Sequence, residues 1–297
     1  MLELNRIATE QQNQHTKHID ELSTYEMVKL INDEDCKVPY AVGQELSHIA
    51  QAIDAIYEAL SKGGRLIYSG CGTSGRLGIL DAVECPPTYS TDPEMVVGLI
   101  AGGQEAIFRA VEGAEDDCAQ GETDLKAISF SRQDILVGIA ASGRTPYVLG
   151  ALTYAHSCGA KTIAVTCCRD SEIDKAADIG IAVAVGPEVI TGSTRMKSGT
   201  AQKMVLNMLS TGAMIRLGKV YGNLMVDVKP SNQKLRKRAV SIVRTATDVN
   251  EEVAVSTLEK CDYEAKTAIV MLKKDIPASQ ARIQLCQAGG HVASALN

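Results

Sequence analysis

Five short apolar runs, separated by stretches with helical spacing, constrain the fold of this 297-residue chain most strongly. The runs are rich in Val and Ile and continuously apolar rather than alternating, as strands buried on both faces of a sheet are. They cover Leu66–Ser69, Met95–Ile100, Ile135–Ala140, Thr162–Thr166 and Ile179–Val185. The helical patterns between them lie near 74–83, 104–119, 146–158 and 171–177. This alternation predicts a doubly wound α/β domain with a five-stranded parallel sheet.

Helical patterns also flank the predicted sheet. Apolar residues recur every three or four positions over 46–60 and stop at Gly63–Gly64, which predicts that the first sixty residues are helical. A longer helix is predicted at about 198–217.

The character of the chain changes at Pro230, after which a basic segment leads into short helical patterns. We predict three short helices there, with N-caps at Asp248 and Asp262. The predicted domains are therefore a main domain over 1–234, including the helical N-terminal segment, and a small helical domain over 235–297.

Composition excludes several classes of protein. A net charge of −6, no Trp and only two Phe argue against a nucleic-acid-binding protein. Nine scattered Cys are expected to be reduced, and the five His have no metal-ligand spacing. The first fifteen residues lack the apolar core of a signal peptide, and the most apolar long helix contains Lys203, Asn207 and Arg216. We expect a cytoplasmic protein that uses no metal.

A glycine-rich loop, G-x-G-x-x-G, follows the first predicted strand at Gly70, Gly72 and Gly75. Such a loop at a helix start binds either a dinucleotide or a phosphomonoester. A dinucleotide loop needs an acidic residue at the end of the next strand, but that strand ends in "GLIAGGQ". The hydroxyls of Thr73 and Ser74 suit phosphate oxygens, and no G-K-[ST] follows that would make a P-loop.

A second loop, "ASGRT", follows the third predicted strand and offers Ser142, Arg144 and Thr145. Two hydroxyl-bearing loops at neighbouring strand ends favour a phosphorylated small molecule over a dinucleotide. A third polar stretch, "VITGSTRMKSGTAQK", precedes the long helix. The candidate phosphate- and substrate-binding residues are Gly72, Thr73, Ser74, Ser142, Arg144, Thr145, Ser193, Thr194 and Lys197. The alternative is that these are ordinary turns that cap helices.

Carboxylates are the best candidates for acid–base chemistry, because no histidine lies near either loop. Glu84 precedes Pro86–Pro87, which predicts that the helix from the first loop ends there. A carboxylate at the negative end of a helix dipole favours its protonated form, as a general acid must. Glu115 lies in the acidic run "VEGAEDD", which by itself is typical of a solvated surface.

These motifs together resemble those of the N-acetylmuramic acid 6-phosphate etherases, a family with the sugar isomerase (SIS) fold. The resemblance rests on "GCGTSGRLGILDAVECPPTY", "AVEGAED", "GIAASGRTPYV", "TGSTRMKSGTAQKMVLNMLSTG" and "GNLMVDV". It extends over nearly the whole chain, from "STYEMVKLINDED" to the C-terminal helices.

The resemblance implies a lyase that converts N-acetylmuramic acid 6-phosphate to N-acetylglucosamine 6-phosphate and D-lactate during recycling of cell-wall sugars. It also implies a homodimer, no metal or organic cofactor, and a C-terminal helical domain similar to a ubiquitin-associated fold. The acid–base glutamates of the family fall on Glu84 and Glu115, and we expect Glu84 to be the acid and Glu115 the base.

Three other functions stay open from the residues. An aldose–ketose isomerase on the same fold would share the phosphate loops and a carboxylate base. A non-catalytic sugar-phosphate regulator would bind the ligand without turnover. A dinucleotide-dependent enzyme is the weakest of the three.

Overall fold

The computed structural model describes residues 8–228 and 232–297. The chain divides into two compact units. The first comprises the described residues up to Ala82 together with Glu94–Ser210, and the second comprises Val83–Pro93 and the described residues of Thr211–Asn297. The domain boundary predicted between residues 234 and 235 stays a prediction, and it falls within the second unit.

A five-stranded parallel sheet forms the centre of the first unit, as predicted. Its strands are β1 (Leu66–Gly70), β2 (Val96–Ile100), β3 (Ile135–Ile139), β4 (Lys161–Thr166) and β5 (Ile179–Ala182), in the order β2-β1-β3-β4-β5. β1 and β3 are neighbours, and their register pairs Gly70 with Ile139 at the carboxyl end. β1 and β3 are completely buried, which accounts for their continuous apolar sequence.

Three α-helices precede the sheet in the described residues and confirm the helical prediction from Thr24 onward, whereas residues 8–23 contain only short 3-10 turns. The three α-helices are α1 (Thr24–Asp35), α2 (Val38–Gly43) and α3 (Leu46–Ser61). A capping box between Ser23 and Glu26 begins α1. α3 buries Ile49, Ala52, Ile56 and Leu60, the face that the periodicity predicts.

The helix after the first loop, α4 (Gly72–Tyr89), is longer than predicted. It continues through Pro86 and Pro87, and the Ser90 N–H donates to the Pro86 carbonyl, so the prediction that it ends at Glu84 is wrong. A proline removes one intrahelical hydrogen bond but imposes a φ that a helix accepts. Two adjacent prolines therefore weaken this last part of α4 without ending it.

The helix predicted near 104–119 is interrupted. α5 (Glu105–Phe108) is followed by a single 3-10 turn at Ala114–Asp116 and then by α6 (Cys118–Ala127). Gly113, with φ 76°, adopts a left-handed backbone conformation, which interrupts a right-handed α-helix. The helices that follow the second loop are α7 (Pro146–Ser157), α8 (Glu172–Ala176) and the long α9 (Lys197–Arg216), all close to their predicted positions.

The second unit has more helices than predicted. A short hairpin of β6 (Val220–Tyr221) and β7 (Leu224–Met225) precedes α10 (Gln233–Thr247), α11 (Glu251–Glu259), α12 (Ala265–Lys274), α13 (Ala278–Gln287) and α14 (Val292–Leu296). The prediction of three helices is thus wrong for the described part of the C-terminal segment. These elements pack around a core of their own.

The predicted N-caps of the C-terminal helices are also wrong. Asp248 ends α10 in a left-handed conformation, and the side chain of Asn250 caps α11 instead. Asp262, with φ 56°, lies in the turn before α12, whose N-cap residue is Glu264. Asp tolerates the left-handed region better than most residues, so the same residue type marks helix ends and turns as well as helix starts. No helix among the described residues has the length and apolarity needed to cross a bilayer.

α6 and α7 approach each other so closely that glycine is required at both contacts. A Cβ atom on Gly150 would lie 1.9 Å from the Cys118 carbonyl oxygen, and one on Gly121 would lie 2.1 Å from the Tyr147 carbonyl oxygen. Because these neighbours are backbone atoms, no side-chain movement relieves the clash. The two glycines therefore fix the start of α7 relative to the start of α6.

We expect Gly150→Ala to destabilise the protein by about 1–3 kcal/mol or more, because overpacking outweighs the better helix propensity of alanine. Gly43→Ala is the matched control, since a Cβ there meets nothing within 4 Å. It should leave stability unchanged or raise it by up to about 1 kcal/mol. Urea unfolding measures both, and equal effects of the two variants would contradict the close-contact explanation.

Candidate active site

The first glycine loop joins β1 to α4 at the carboxyl edge of the sheet. Gly72 has φ 55°, and a Cβ on Gly75 would lie 2.7 Å from the Gly70 carbonyl oxygen. Both positions therefore need glycine for the turn itself. The strand order reverses beside β1, so this loop and the loop after β3 flank the place where open α/β sheets bind their ligands.

Ser74 of this loop is buried and already has a protein partner. Its hydroxyl donates to Oε1 of Gln202 on α9 at 2.9 Å. The Gln202 side chain is also buried, and its Nε2 has no hydrogen-bond partner among the described residues. Gln202 is not among the residues predicted from the sequence.

The loop before α9 is held by a buried carboxylate. Glu188 accepts hydrogen bonds from the backbone N–H groups of Lys197 and Ser198 at 2.9 and 2.8 Å, and from the Ser198 hydroxyl at 2.8 Å. A carboxylate at this position satisfies the N–H groups of the first helical turn and complements the helix dipole. A Cβ on Gly199 would lie 3.4 Å from Thr73, so the start of α9 packs against the first loop.

Lys197, a predicted substrate-binding residue, forms a buried ion pair. Its Nζ lies 2.7 Å from Oε2 of Glu34 on α1, and both side chains are almost completely buried. Burial disfavours ionisation of Glu34, but hydrogen bonds from Lys197 and Lys37 outweigh it and lower its pKa to about 2. The direct role of Lys197 in binding substrate stays a prediction.

The second loop brings Thr145 onto Glu115. The Thr145 hydroxyl donates to Glu115 Oε1 at 2.9 Å. The charge of Glu115 also acts on the first loop, where burial and then this negative charge raise the pKa of the Cys71 thiol to about 11. One of the two predicted acid–base residues thus contacts the second loop, and its charge acts on the first. The raised pKa makes Cys71 a poor nucleophile.

Other predicted binding residues keep unused hydrogen-bonding capacity. The hydroxyls of four of them make no hydrogen bond with any described residue: Thr73, Ser142, Ser193 and Thr194. Arg144 is about one-third exposed and lies 3.7 Å from Glu172, so its guanidinium is only loosely paired. No cluster of three metal-ligating side chains exists in 8–228 and 232–297.

Glu84, the second predicted acid–base residue, belongs to the second unit and is exposed. It lies within α4 rather than at its end, so the helix terminus that was expected to favour its protonated form is absent. Its role as a general acid stays a prediction that rests on the family resemblance.

Comparison with known proteins covers the whole chain. Residues 48–156 match the N-terminal SIS domain of glucokinase regulatory protein, residues 121–212 match the SIS domain, and residues 222–292 match the C-terminal lid domain of glucokinase regulatory protein. The chain is 58% identical over 291 residues to an N-acetylmuramic acid 6-phosphate etherase of Photorhabdus laumondii, covering 98% of this chain and 97% of that protein. The chain belongs to the N-acetylmuramic acid 6-phosphate etherase family.

Further members of the etherase family are nearly as similar. The Clostridium beijerinckii etherase is 57% identical over 295 residues, which is 99% of this chain and 97% of that protein. A solved phosphoheptose isomerase of Neisseria gonorrhoeae matches with a TM-score of 0.50 at 19% identity, covering 64% of this chain and 98% of that chain. This last similarity supports the fold alone.

The Glu34–Lys197 pair predicts a pH dependence of stability. The pKa of Glu34 is lowered in the folded protein from 4.5 to about 2, so the unfolded chain binds the proton first as pH falls. The stabilisation is complete above about pH 5. It is lost as pH falls from about 4.5 to about 2, and the shift corresponds to about 3 kcal/mol.

Glu34→Gln removes this titrating carboxyl group. The difference in the free energy of unfolding between wild type and Glu34→Gln should therefore shrink as pH falls through that range. Urea unfolding at a series of pH values measures it. Glu58→Gln is the control, because Glu58 pairs with Lys62 on the exposed surface, where such pairs contribute little. If the difference in the free energy of unfolding between wild type and Glu34→Gln stays constant from pH 5 to pH 2, the pair does not control the stability of the protein in acid.

Proposed function

We propose that this member of the etherase family cleaves the D-lactyl ether of N-acetylmuramic acid 6-phosphate, giving N-acetylglucosamine 6-phosphate and D-lactate. The observation that carries the proposal is identity of 58% over 98% of the chain to a protein named for this activity. The hydrogen bond between Glu115 and the second hydroxyl-bearing loop, and the effect of its charge on Cys71 of the first loop, support it.

The two loops suit the 6-phosphate of the sugar. A phosphate dianion is stabilised by the N–H groups at a helix start, and the loops lead into α4 and α7. A serine or threonine hydroxyl has only one proton to donate. Those of Thr73 and Ser142 are not engaged by the described residues, so we propose them as the phosphate donors, with Ser193, Thr194 and Arg144 as further ligands.

The proposed reaction is an elimination followed by hydration. In the open-chain sugar the aldehyde acidifies the proton on carbon 2, and a base removes it. Lactate then leaves from carbon 3 with a proton from an acid, and water adds to the double bond. One carboxylate acting as base and a second acting as acid meet the requirement for general acid–base catalysis.

We assign the base to Glu115 and the acid to Glu84. Glu115 Oε1 is held by Thr145, whereas its Oε2 has no hydrogen bond among the described residues. The exposed carboxylate of Glu84 is available to protonate departing lactate and to activate water.

We also propose a homodimer that works in the cytoplasm. The first unit carries large apolar side chains that are at least half exposed, which are of the kind that a partner subunit covers: Tyr25, Val28, Tyr40, Leu46, Leu80, Phe108 and Ile190. All nine cysteines lie in described residues and are free thiols, which supports a reducing compartment. Sedimentation velocity tests the dimer, and a monomer at micromolar concentration would contradict it.

The activity is tested by D-lactate release from N-acetylmuramic acid 6-phosphate, with the unphosphorylated sugar as control. We expect release that depends on the 6-phosphate. Binding of the sugar phosphate without lactate release would favour a regulator. Conversion of an aldose phosphate to its ketose without ether cleavage would favour an isomerase.

Exchange of the carbon 2 proton with solvent separates the roles of the two glutamates. Glu84→Ala should keep exchange but release lactate about 10²–10⁴-fold more slowly, because only the acid step is lost. Glu115→Ala should lose both. Exchange lost in Glu84→Ala and kept in Glu115→Ala would reverse the assignment.

Ser142→Ala should raise KM for the phosphorylated sugar about tenfold or more, because a hydrogen bond to a charged group contributes about 1.5–3 kcal/mol. The control is Ser157→Ala, which removes a hydroxyl that donates to the Tyr154 carbonyl on the exposed side of α7 and should leave KM unchanged. Unchanged KM in Ser142→Ala would remove the second loop from the phosphate site.

A further inference from the structure

Gln202 is a buried polar residue of which only one end is used. It lies on a buried face of α9, where Val205 and Leu206, three and four positions further on, are also buried. Its Oε1 accepts a hydrogen bond from the Ser74 hydroxyl at 2.9 Å, whereas its Nε2 is buried and has no hydrogen-bond partner among the described residues. A buried donor without a partner costs free energy, so packing alone does not explain an amide at this position.

The amide of Gln202 can exchange its two ends without losing a hydrogen bond. Rotation about the last side-chain bond interchanges Oε1 and Nε2, which are nearly the same size. In the observed orientation the Ser74 hydroxyl donates to Gln202. In the reversed orientation Nε2 donates to Ser74 Oγ, so the contact is kept with its direction inverted. No hydrogen bond from Nε2 to a described residue opposes the rotation.

The direction of this contact decides where the single hydroxyl proton of Ser74 is donated. Ser74 lies in the first turn of α4, next to Thr73, and the N–H groups of a helix start attract an anion. A hydrogen bond to a charged phosphate is stronger than one to a neutral amide. A phosphate at this loop therefore favours the reversed orientation, in which Gln202 donates to Ser74 and Ser74 donates to the phosphate. Hydrogen bonds arranged in such a chain strengthen one another.

The backbone of α9 keeps Gln202 within reach of Ser74 in both orientations. Glu188 accepts hydrogen bonds from the first N–H groups of the helix, and the buried ion pair between Lys197 and Glu34 holds its first residue. Gln202 and Ser74 both belong to the first unit. The side-chain amide is thus the part that can turn while the helix stays in place.

We propose that Gln202 is a positioning residue for the phosphate site: its amide turns so that Nε2 donates to Ser74 Oγ, and the Ser74 hydroxyl then donates to the 6-phosphate. This inference rests on the proposed function, in which the first loop binds that phosphate. It adds Ser74 to the proposed donors Thr73 and Ser142, and it gives the unpartnered Nε2 a use. Because the phosphate is held equally in the ground state and the transition state, Gln202 contributes to binding and little to kcat.

The test compares Gln202→Glu, whose ionised carboxylate accepts but cannot donate, with Gln202→Met, which does neither. Calorimetry measures the affinity for N-acetylglucosamine 6-phosphate, and lactate release gives KM and kcat. At about pH 9 we expect Gln202→Glu to weaken binding and raise KM about tenfold or more, and Gln202→Met to do so about fivefold, with kcat within about threefold of wild type. A role confined to accepting the Ser74 proton predicts the opposite order.

The pH dependence of Gln202→Glu separates donation from shape. A protonated carboxyl group can donate as the amide does, so the loss of affinity relative to wild type should shrink from about pH 9 to about pH 6. Gln133→Glu is the matched control for the added charge. Gln133 is exposed and precedes β3 at the edge of the sheet opposite the loops, so this substitution should leave the affinity unchanged.

A double-mutant cycle isolates the contact with Ser74. In a Ser74→Ala background, Gln202→Met should weaken binding no further, because the hydroxyl that Gln202 positions is gone. This cycle decides the question if Gln202→Glu does not fold. Full additivity of Ser74→Ala and Gln202→Met, or wild-type affinity of Gln202→Glu at about pH 9, would overturn the inference alone. Binding that depends on Gln202, without lactate release by the wild-type protein, would overturn the etherase function and leave this inference standing.

Discussion

The reversal of strand order at β1 is the constraint on which the rest of the first unit depends. β2 lies on one side of β1 and β3 on the other, with all strands parallel. The connections that leave the carboxyl ends of β1 and β3 therefore diverge, and a crevice opens between them. Both loops are followed by helices whose N-termini lie at this edge, so the backbone itself favours an anion there before any side chain is considered.

Buried charged side chains hold the start of α9, which follows the third polar stretch of the sequence, in place within the first unit. Glu188 binds the first N–H groups of the helix, and Lys197 pairs with Glu34. Further along α9, Asn207 and Ser210 donate to the buried Asp81 of α4. Burial raises the pKa of Asp81, and these donors together with Tyr68 oppose the shift.

Such pairs add little net stability compared with apolar packing, but removing one partner is costly. Each of these carboxylates reaches its partners on α9 at only one position of the helix along and around its axis. Their effect is therefore to fix the position of the helix against the loops, and Gln202, which lies beyond Lys197 on the same helix, reaches Ser74 because of it.

Local sequence patterns predicted the sheet, its loops and the N-terminal helices, since these depend on short-range periodicity and turn chemistry. The strands are continuously apolar because they are buried, and that signal is contained within each strand. The helix through Pro86 and Pro87 and the break at Gly113 were missed, because both oppose ordinary local preferences. Residue type alone did not distinguish the left-handed helix end at Asp248 from a helix start.

The hydrogen-bond partners of the candidate-site residues are distant in sequence, so local patterns could not predict them. Glu34 and Lys197 are 163 positions apart, and Ser74 and Gln202 are 128 positions apart. The sequence identified the loop hydroxyls as a group. It could not show which of them donate a hydrogen bond to another residue of the protein. That distinction requires the positions of acceptors on distant elements.

The hydroxyls of the two loops fall into two groups according to whether they already donate a hydrogen bond within the protein. Ser74 and Thr145 are buried, and each gives its proton to a protein oxygen. Thr73 and Ser142 are less buried and make no such bond with the described residues. Each loop thus contains one hydroxyl that donates within the protein and one that is available to an anion. In the proposed phosphate site, the N-termini of α4 and α7 and these hydroxyls meet the charge together with Arg144. In the function that we propose, the carboxylates outside the loops decide the reaction, because the fold and its loops do not by themselves determine the chemistry.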